Sequence, residues 1–131
     1  MDKVTVSVPG KLMLLGEHAV VYNHPCLVTA VNQRMRVTVD ILDSQEFQFE
    51  APDVKVVGYK KALSELGKGD IPKGAQFVEI AVKNITEKHQ LKSGLRITTS
   101  SEFSSEFGFG SSSASTVCVV KALSELLDLK L

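Results

Sequence analysis

The hydrophobic period of this chain changes near residue 55, and that change limits the folds open to it. Before that point apolar residues alternate with polar ones, the period of a strand with one buried face. Val4, Val6 and Val8 alternate in this way up to Pro9-Gly10, which reads as a break with a bend. Lys11 to Leu15 forms a second extended piece, ended by Gly16. Leu27 to Val31 and Met35 to Leu42 are rich in apolar and β-branched residues, which predicts two further strands. Phe47 and Phe49 alternate with Gln48 and Glu50, and the expectation is a short strand closing a hairpin through Asp43-Ser44.

Beyond that point the pattern is largely helical. Val56 to Leu66 carries a modest helical signal, ended by Gly67-Lys68-Gly69. From Ala75 to His89, Phe77, Val78, Ala81, Val82 and Ile85 recur at three-to-four spacing, which predicts an amphipathic helix. Gly94 to Thr99 returns to alternation, with Leu95 and Ile97 on one face. A last helix begins at Ser111, with Val117, Val120, Leu123, Leu126 and Leu127 as its expected buried stripe. The hexapeptide Lys-Ala-Leu-Ser-Glu-Leu occurs at Lys61–Leu66 and again at Lys121–Leu126. The match does not extend further, so it reads as two helices drawing on the same helix formers. Strands, helices, then a strand and a helix give an α+β domain, and the length suits one domain over residues 1–131.

Charge narrows the function classes. Fifteen basic residues balance fifteen acidic ones, so no electrostatic footprint for nucleic acid or an anionic membrane exists. Any bound anion must be held by a local site. No apolar run is long enough to span a bilayer, and no signal-peptide pattern is read at Met1-Asp2-Lys3-Val4. Cys26 and Cys118 lie far apart and show no metal or redox spacing. A buried reduced thiol is expected for each, and with it a cytoplasmic setting.

Two segments carry chemistry. The first is Phe107-Gly108-Phe109-Gly110-Ser111-Ser112-Ser113-Ala114-Ser115, between a strand and a helix. Gly108 and Gly110 let main chain approach a ligand closely. The serines can cap the helix. A helix N-terminus presents free N–H donors and partial positive charge, which suits phosphate, and a serine hydroxyl can join a magnesium shell. A plain Gly/Ser connector with an ordinary cap has the same composition. The loop is not a Walker loop, because no Gly-Lys-Ser/Thr follows, and it lacks the third glycine of a dinucleotide fingerprint.

The second segment is Pro9-Gly10-Lys11-Leu12-Met13-Leu14-Leu15-Gly16-Glu17-His18-Ala19-Val20-Val21-Tyr22. Lys11 precedes a short apolar strand, and Glu17 and His18 follow the glycine that ends it. Polar groups at strand ends are where sites form. Taken singly, each is more often a solvated lysine, a surface acid or a hydrogen-bonded loop histidine.

Together the two segments resemble the GHMP kinase family, which carries a Pro-Gly-Lys/Arg strand near the N-terminus and a Gly-x-Gly-Ser-Ser loop. Within it, Gly16-Glu17-His18-Ala19-Val20-Val21-Tyr22 and the Asn23-His24-Pro25-Cys26-Leu27-Val28 that follows are most similar to the mevalonate-kinase branch. The resemblance implies the N-terminal lobe of that fold, like domain 2 of ribosomal protein S5. It implies ATP and Mg2+ as cofactors, and transfer of the γ-phosphoryl group to the primary hydroxyl of mevalonate. Lys11 would lie near the accepting hydroxyl and the γ-phosphate as the catalytic cation. Glu17 and His18 would orient the acceptor. Gly108, Phe109, Gly110, Ser111, Ser112, Ser113 and Ala114 would cradle the triphosphate, with Ser112 on the metal.

Three departures accompany the resemblance. Glu102-Phe103-Ser104-Ser105-Glu106-Phe107 stands where the family has proline and small residues, and Glu106 beside a phosphate loop is electrostatically unfavourable unless it points away or aids the metal. Phe109 replaces the usual leucine. The family's catalytic aspartate, its second metal-binding acid and a further glycine-rich segment come from later in the chain, and Asp128 is poorly placed to substitute. The expectation is a front portion that does not catalyse alone and pairs through apolar surface with the C-terminal portion, on the same or a separate polypeptide, or with a second copy as a homodimer. A phosphomevalonate or sugar kinase, or a nucleotide-binding module without catalysis, are the alternative readings.

Overall fold

Five strands, β1 (Lys3–Leu15), β2 (Leu27–Leu42), β3 (Glu46–Ala51), β4 (Val56–Ala62) and β5 (Gly94–Ser101), form one sheet of order β1-β2-β5-β3-β4. The computed structural model describes residues 2–107 and 110–130. Neighbours run antiparallel except β3 and β5, which are parallel. A parallel pair needs a crossover. Here the crossover contains β4 and the helix α1 (Gln76–His89). The second helix, α2 (Ser111–Leu126), packs across β1 and β2 with α1 beside it.

Strand alternation puts one face of the sheet beneath the helices. Val37, Val39, Phe47, Leu95 and Ile97 have no exposed surface there. The opposite face carries polar partners such as Thr5 with Thr38 (2.9 Å) and Arg96 with Gln48 (3.0 Å). This is the one-sided burial usual for a largely antiparallel sheet.

Several local expectations change. Pro9-Gly10 does not break the first strand, because β1 continues through it with a register shift between Pro9 and Lys11. The bulge is held from one side: a Cβ on Gly10 would stand 3.1 Å from the Phe103 ring. Leu27–Val31 and Met35–Leu42 are one strand, not two. β3 makes no hairpin with β2, since β5 occupies that edge and β3 pairs with β4 and β5. The segment expected to be helical from Val56 to Leu66 is β4 followed by a short 3-10 turn, Leu63–Glu65. Val56, Val57 and Tyr59 suit a strand, and Tyr59 meets the Phe47 ring edge-on at 6.3 Å.

The helices are where expected, with part of each expected stripe turned outward. In α1, Val78, Val82 and Ile85 are buried while Phe77 is 62% exposed. In α2 the buried stripe is Ala114, Cys118, Val119, Ala122, Leu123 and Leu126, and Val117 faces outward. Both cysteines are free, but only Cys118 is buried; Cys26 is exposed. Burial pushes the Cys118 thiol up to about 11, although the Val8 backbone and the Arg34 charge act the other way. That thiol stays protonated at neutral pH and acts as core.

Candidate functional site

The start of α2 has the properties of an anion site. Its N-cap is Gly110, at φ 73 and ψ 42 in the left-handed region, and no side chain caps it. Gly110 O accepts the first helical bond, from Ala114 N (2.8 Å). No acid lies in the first turn. The serines therefore do not cap the helix as expected. The hydroxyls of Ser115 and Thr116 instead donate back to Ser112 O, at 3.0 and 2.7 Å. N–H groups without a capping side chain, at the positive end of a helix, suit phosphate oxygens.

Lys11 reaches this point from β1. A Cβ added to Gly110 would stand 2.8 Å from Lys11 Cε and 3.1 Å from its Cγ. The lysine side chain thus lies over the glycine that opens α2. Among the described residues no carboxylate pairs with it. The two segments that carried the sequence argument meet here, a cation on a strand and free donors on a helix.

Beside that contact is a cleft of about 460 Å³, within the usual size of small-molecule sites. Ser111, Ser112 and Ser115 form the α2 side. Lys73, Gly74, Gln76 and Phe77, at the entry to α1, form a second side. Asp53 and Val54, in the 3-10 turn Pro52–Val54, form a third. Met35 and Phe49 give it an apolar floor. Asp53 is fixed there because its Oδ2 accepts from Ser101 N (3.0 Å) at the end of β5.

The remaining sequence-derived residues divide. Ser113 is exposed and lies outside the cleft lining. Ala114 is 7% exposed, packs in the core, and spends its N–H on Gly110. Gly108 and Phe109 lie outside the described residues. Glu17 and His18 are exposed in the turn after β1. Four strand steps separate Lys11 from Leu15, about 13 Å, and neither Glu17 nor His18 lines the cleft beside α2. Glu106 does line the cleft rim, with its N–H donated to Ser104 Oγ (3.1 Å).

The donor set fits a magnesium–phosphate group in part. Ser112 and the Asp53 and Glu106 carboxylates, all in the cleft lining, are oxygen groups of the kind magnesium accepts, and would leave the rest of an octahedral shell to phosphate and water. Among the described residues no group of three metal-binding side chains exists. Lys73, Asp53 and Gln76 had no signal in the sequence, since they join the cleft only through the turns that the sheet order brings together. Phe103, from the segment that departs from the family pattern, is 4% exposed against Gly10 and anchors the approach to the loop.

Comparison with known proteins places this architecture in a class. Residues 76–131 match the model of the GHMP kinases N terminal domain, and over that stretch the chain is similar to the GHMP kinase family. Curated relatives of the chain include mevalonate kinases. It is 34% identical to that of Pyrococcus abyssi over 98% of this chain and 40% of the relative. The chain therefore spans about two fifths of the length of such relatives. The crystal structure of the Methanococcus jannaschii mevalonate kinase has the same fold, with a TM-score of 0.80 at 24% identity, covering 98% of this chain and 41% of that one. The fold also matches Lactococcus lactis galactokinase, with a TM-score of 0.84 at 16% identity, over 98% of this chain and 34% of that one. Among the described residues, no helix is long and apolar enough to cross a membrane.

Proposed function

We propose that this chain is the nucleotide-holding N-terminal portion of a mevalonate kinase, which phosphorylates the primary hydroxyl of mevalonate to 5-phosphomevalonate at the expense of ATP. The observation that carries this reading is the Lys11 side chain lying over Gly110 at the uncapped start of α2. The helix donors hold phosphate oxygens. The Lys11 ammonium stabilises charge that builds on the transferred group and on the accepting oxygen. Bound Mg2+, held by Ser112 and the phosphates, supplies charge neutralisation of the triphosphate. Glu17 and His18 orient mevalonate from the end of β1. The relatives support mevalonate as the acceptor.

Among the described residues no carboxylate is paired with Lys11 to take the hydroxyl proton. That group comes from a C-terminal portion, which is the first partner of this chain. Two apolar surfaces support such a partner. One is an open groove of about 650 Å³ between α1 and α2, walled by Phe77, Ile80, Ala81 and Val120. The other is the exposed tip formed by Leu15, Val21, Tyr22 and Leu27. Patches of this kind mark interaction sites. A second copy in a homodimer is the competing occupant, and a cytoplasmic setting suits two free thiols.

The test is a fusion of residues 1–131 to the corresponding C-terminal portion of the Pyrococcus abyssi mevalonate kinase. ADP release is measured with mevalonate, phosphomevalonate and a sugar panel. Mevalonate-dependent release in the fusion supports the proposal. Turnover with phosphomevalonate or a sugar in place of mevalonate would overturn the assigned acceptor.

A further inference from the structure

Glu79 is an acid in the first turn of α1 with no exposed surface, and no sequence pattern singled it out. Its Oε1 accepts from Tyr59 Oη at 2.5 Å. Its Oε2 accepts from Lys61 Nζ at 2.9 Å and from Gly67 N at 2.8 Å. Lys61 Nζ also donates to Lys68 O at 2.8 Å. One carboxylate thus ties the start of α1 to β4 and to the turn that follows it.

The place of this tie matters. No side chain caps α1, so capping does not fix its first turn. Gln76 and Phe77, in that same turn, form a wall of the cleft. Gly74, just before, is pressed against the opposite wall: a Cβ there would stand 2.5 Å from Val54 Cγ2. Any slide of α1 along β4 therefore changes the cleft directly. Stability alone is a weak reason for such a group, since well-packed apolar residues often replace a buried ion pair without loss.

We propose that Glu79 is a positioning residue, holding the α1 wall of the cleft at the spacing the nucleotide requires. This rests on the reading given above, that nucleotide phosphate is held at the start of α2, whose Ser111 and Ser112 line the same cleft. The tie acts on affinity through geometry, and Glu79 itself touches no ligand.

The test measures Mg·ATP binding to the 131-residue chain by titration calorimetry, with each variant well below its melting temperature. Glu79→Gln keeps the volume but removes the negative charge that faces the Lys61 ammonium, and sets an amide N–H₂ against either Tyr59 Oη or the Lys61 and Gly67 donors. Its dissociation constant should rise about tenfold, because a displaced wall misplaces the ligand. Leu126→Ala serves as a control for stability, since it removes a core side chain at the far end of α2. It should lower the melting temperature and leave affinity at the wild-type value. If Glu79→Gln loses stability but binds as wild type does, the role is structural only and the proposal is overturned. Should Glu79→Gln not fold, Tyr59→Phe removes one of the three bonds and carries the test. A rise of about two- to threefold supports the proposal, and unchanged affinity overturns it. A wild-type chain without saturable Mg·ATP binding would instead sink the nucleotide reading, and this inference with it.

Discussion

Replacing Gly110 by alanine separates the backbone role of that residue from its role in seating Lys11. Gly110 has φ 73, where an L-residue costs about 1–2 kcal/mol. The new Cβ would also stand 2.8 Å from Lys11 Cε. That atom is near the end of a flexible side chain, so the lysine swings away at little cost in stability. Gly58 provides the comparison: its φ is 68, yet a Cβ there meets nothing within 4 Å. Gly58→Ala and Gly110→Ala should therefore lower stability alike, by about 1–2 kcal/mol, or roughly 3–10 °C in melting temperature. Only Gly110→Ala should weaken Mg·ATP binding, by about tenfold (~1.4 kcal/mol), the scale of one charge-assisted contact. The two effects of displacing Lys11 share one cause, so Lys11→Ala and Gly110→Ala should be far from additive in affinity. Calorimetric binding and thermal melts on the four proteins of that cycle, with Gly58→Ala, decide the matter. Additive losses in affinity would refute the claim that the glycine acts through Lys11.

Other outcomes follow from the same geometry. In the completed kinase, Lys11→Ala should lower kcat by about tenfold or more, ~1.4 kcal/mol in the barrier; unchanged turnover in a steady-state assay removes Lys11 from the chemistry. Ser112→Ala should raise the magnesium concentration needed for half-maximal nucleotide binding while leaving the melting temperature within about 1–2 °C, since the Ser112 hydroxyl accepts no capping N–H; an equal fall in stability would make Ser112 a structural residue. Alkaline pH should destabilise the chain through Cys118. Its folded pKa is raised to about 11, so it contributes stability that is complete below its unfolded value and is lost as pH rises through the folded one. Urea melts from pH 7 to 11 should show a decline above about pH 9 that is shallower in Cys118→Ala. Tyr59 and Lys61 act in the same direction. Burial and the hydrogen bond to Glu79 raise Tyr59. For Lys61, burial lowers the value, but its polar contacts with Tyr59 and Glu79 outweigh that and raise it.

The sequence made the site more legible than the sheet. Pro9-Gly10-Lys11 and Gly110-Ser111-Ser112 could be singled out because glycine and serine have local reasons to be where they are, and the structure brings Lys11 and Gly110 into contact. The repeated hexapeptide shows where local reasoning stops. At Lys121–Leu126 it lies within α2 and buries Ala122, Leu123 and Leu126 on the core. At Lys61–Leu66 the same six residues end β4 and form a 3-10 turn, with Leu66 buried and the Lys61 ammonium bonded to Glu79. Propensity is identical in the two copies, so the partner decides: β3 offers an open edge to one copy, and the β1–β2 face receives the other. The misplaced hairpin at Asp43-Ser44 has a related cause. A short loop favours pairing of adjacent strands, but β5 arrives from residue 94 and takes the edge of β2. Glu79 was invisible for the opposite reason: an acid in a first helical turn looks like a solvated residue favoured by the helix dipole, and only the packing of β4 shows that it is buried.

The most direct test of the central claim is an amide chemical-shift titration of the ¹⁵N-labelled chain with Mg·ATP. The account predicts saturable shifts that are largest at Gly110, Ser111, Ser112 and Ser113, with smaller ones at Gln76 and Phe77 across the cleft. Shifts that do not saturate, or that cluster away from the start of α2, would contradict it.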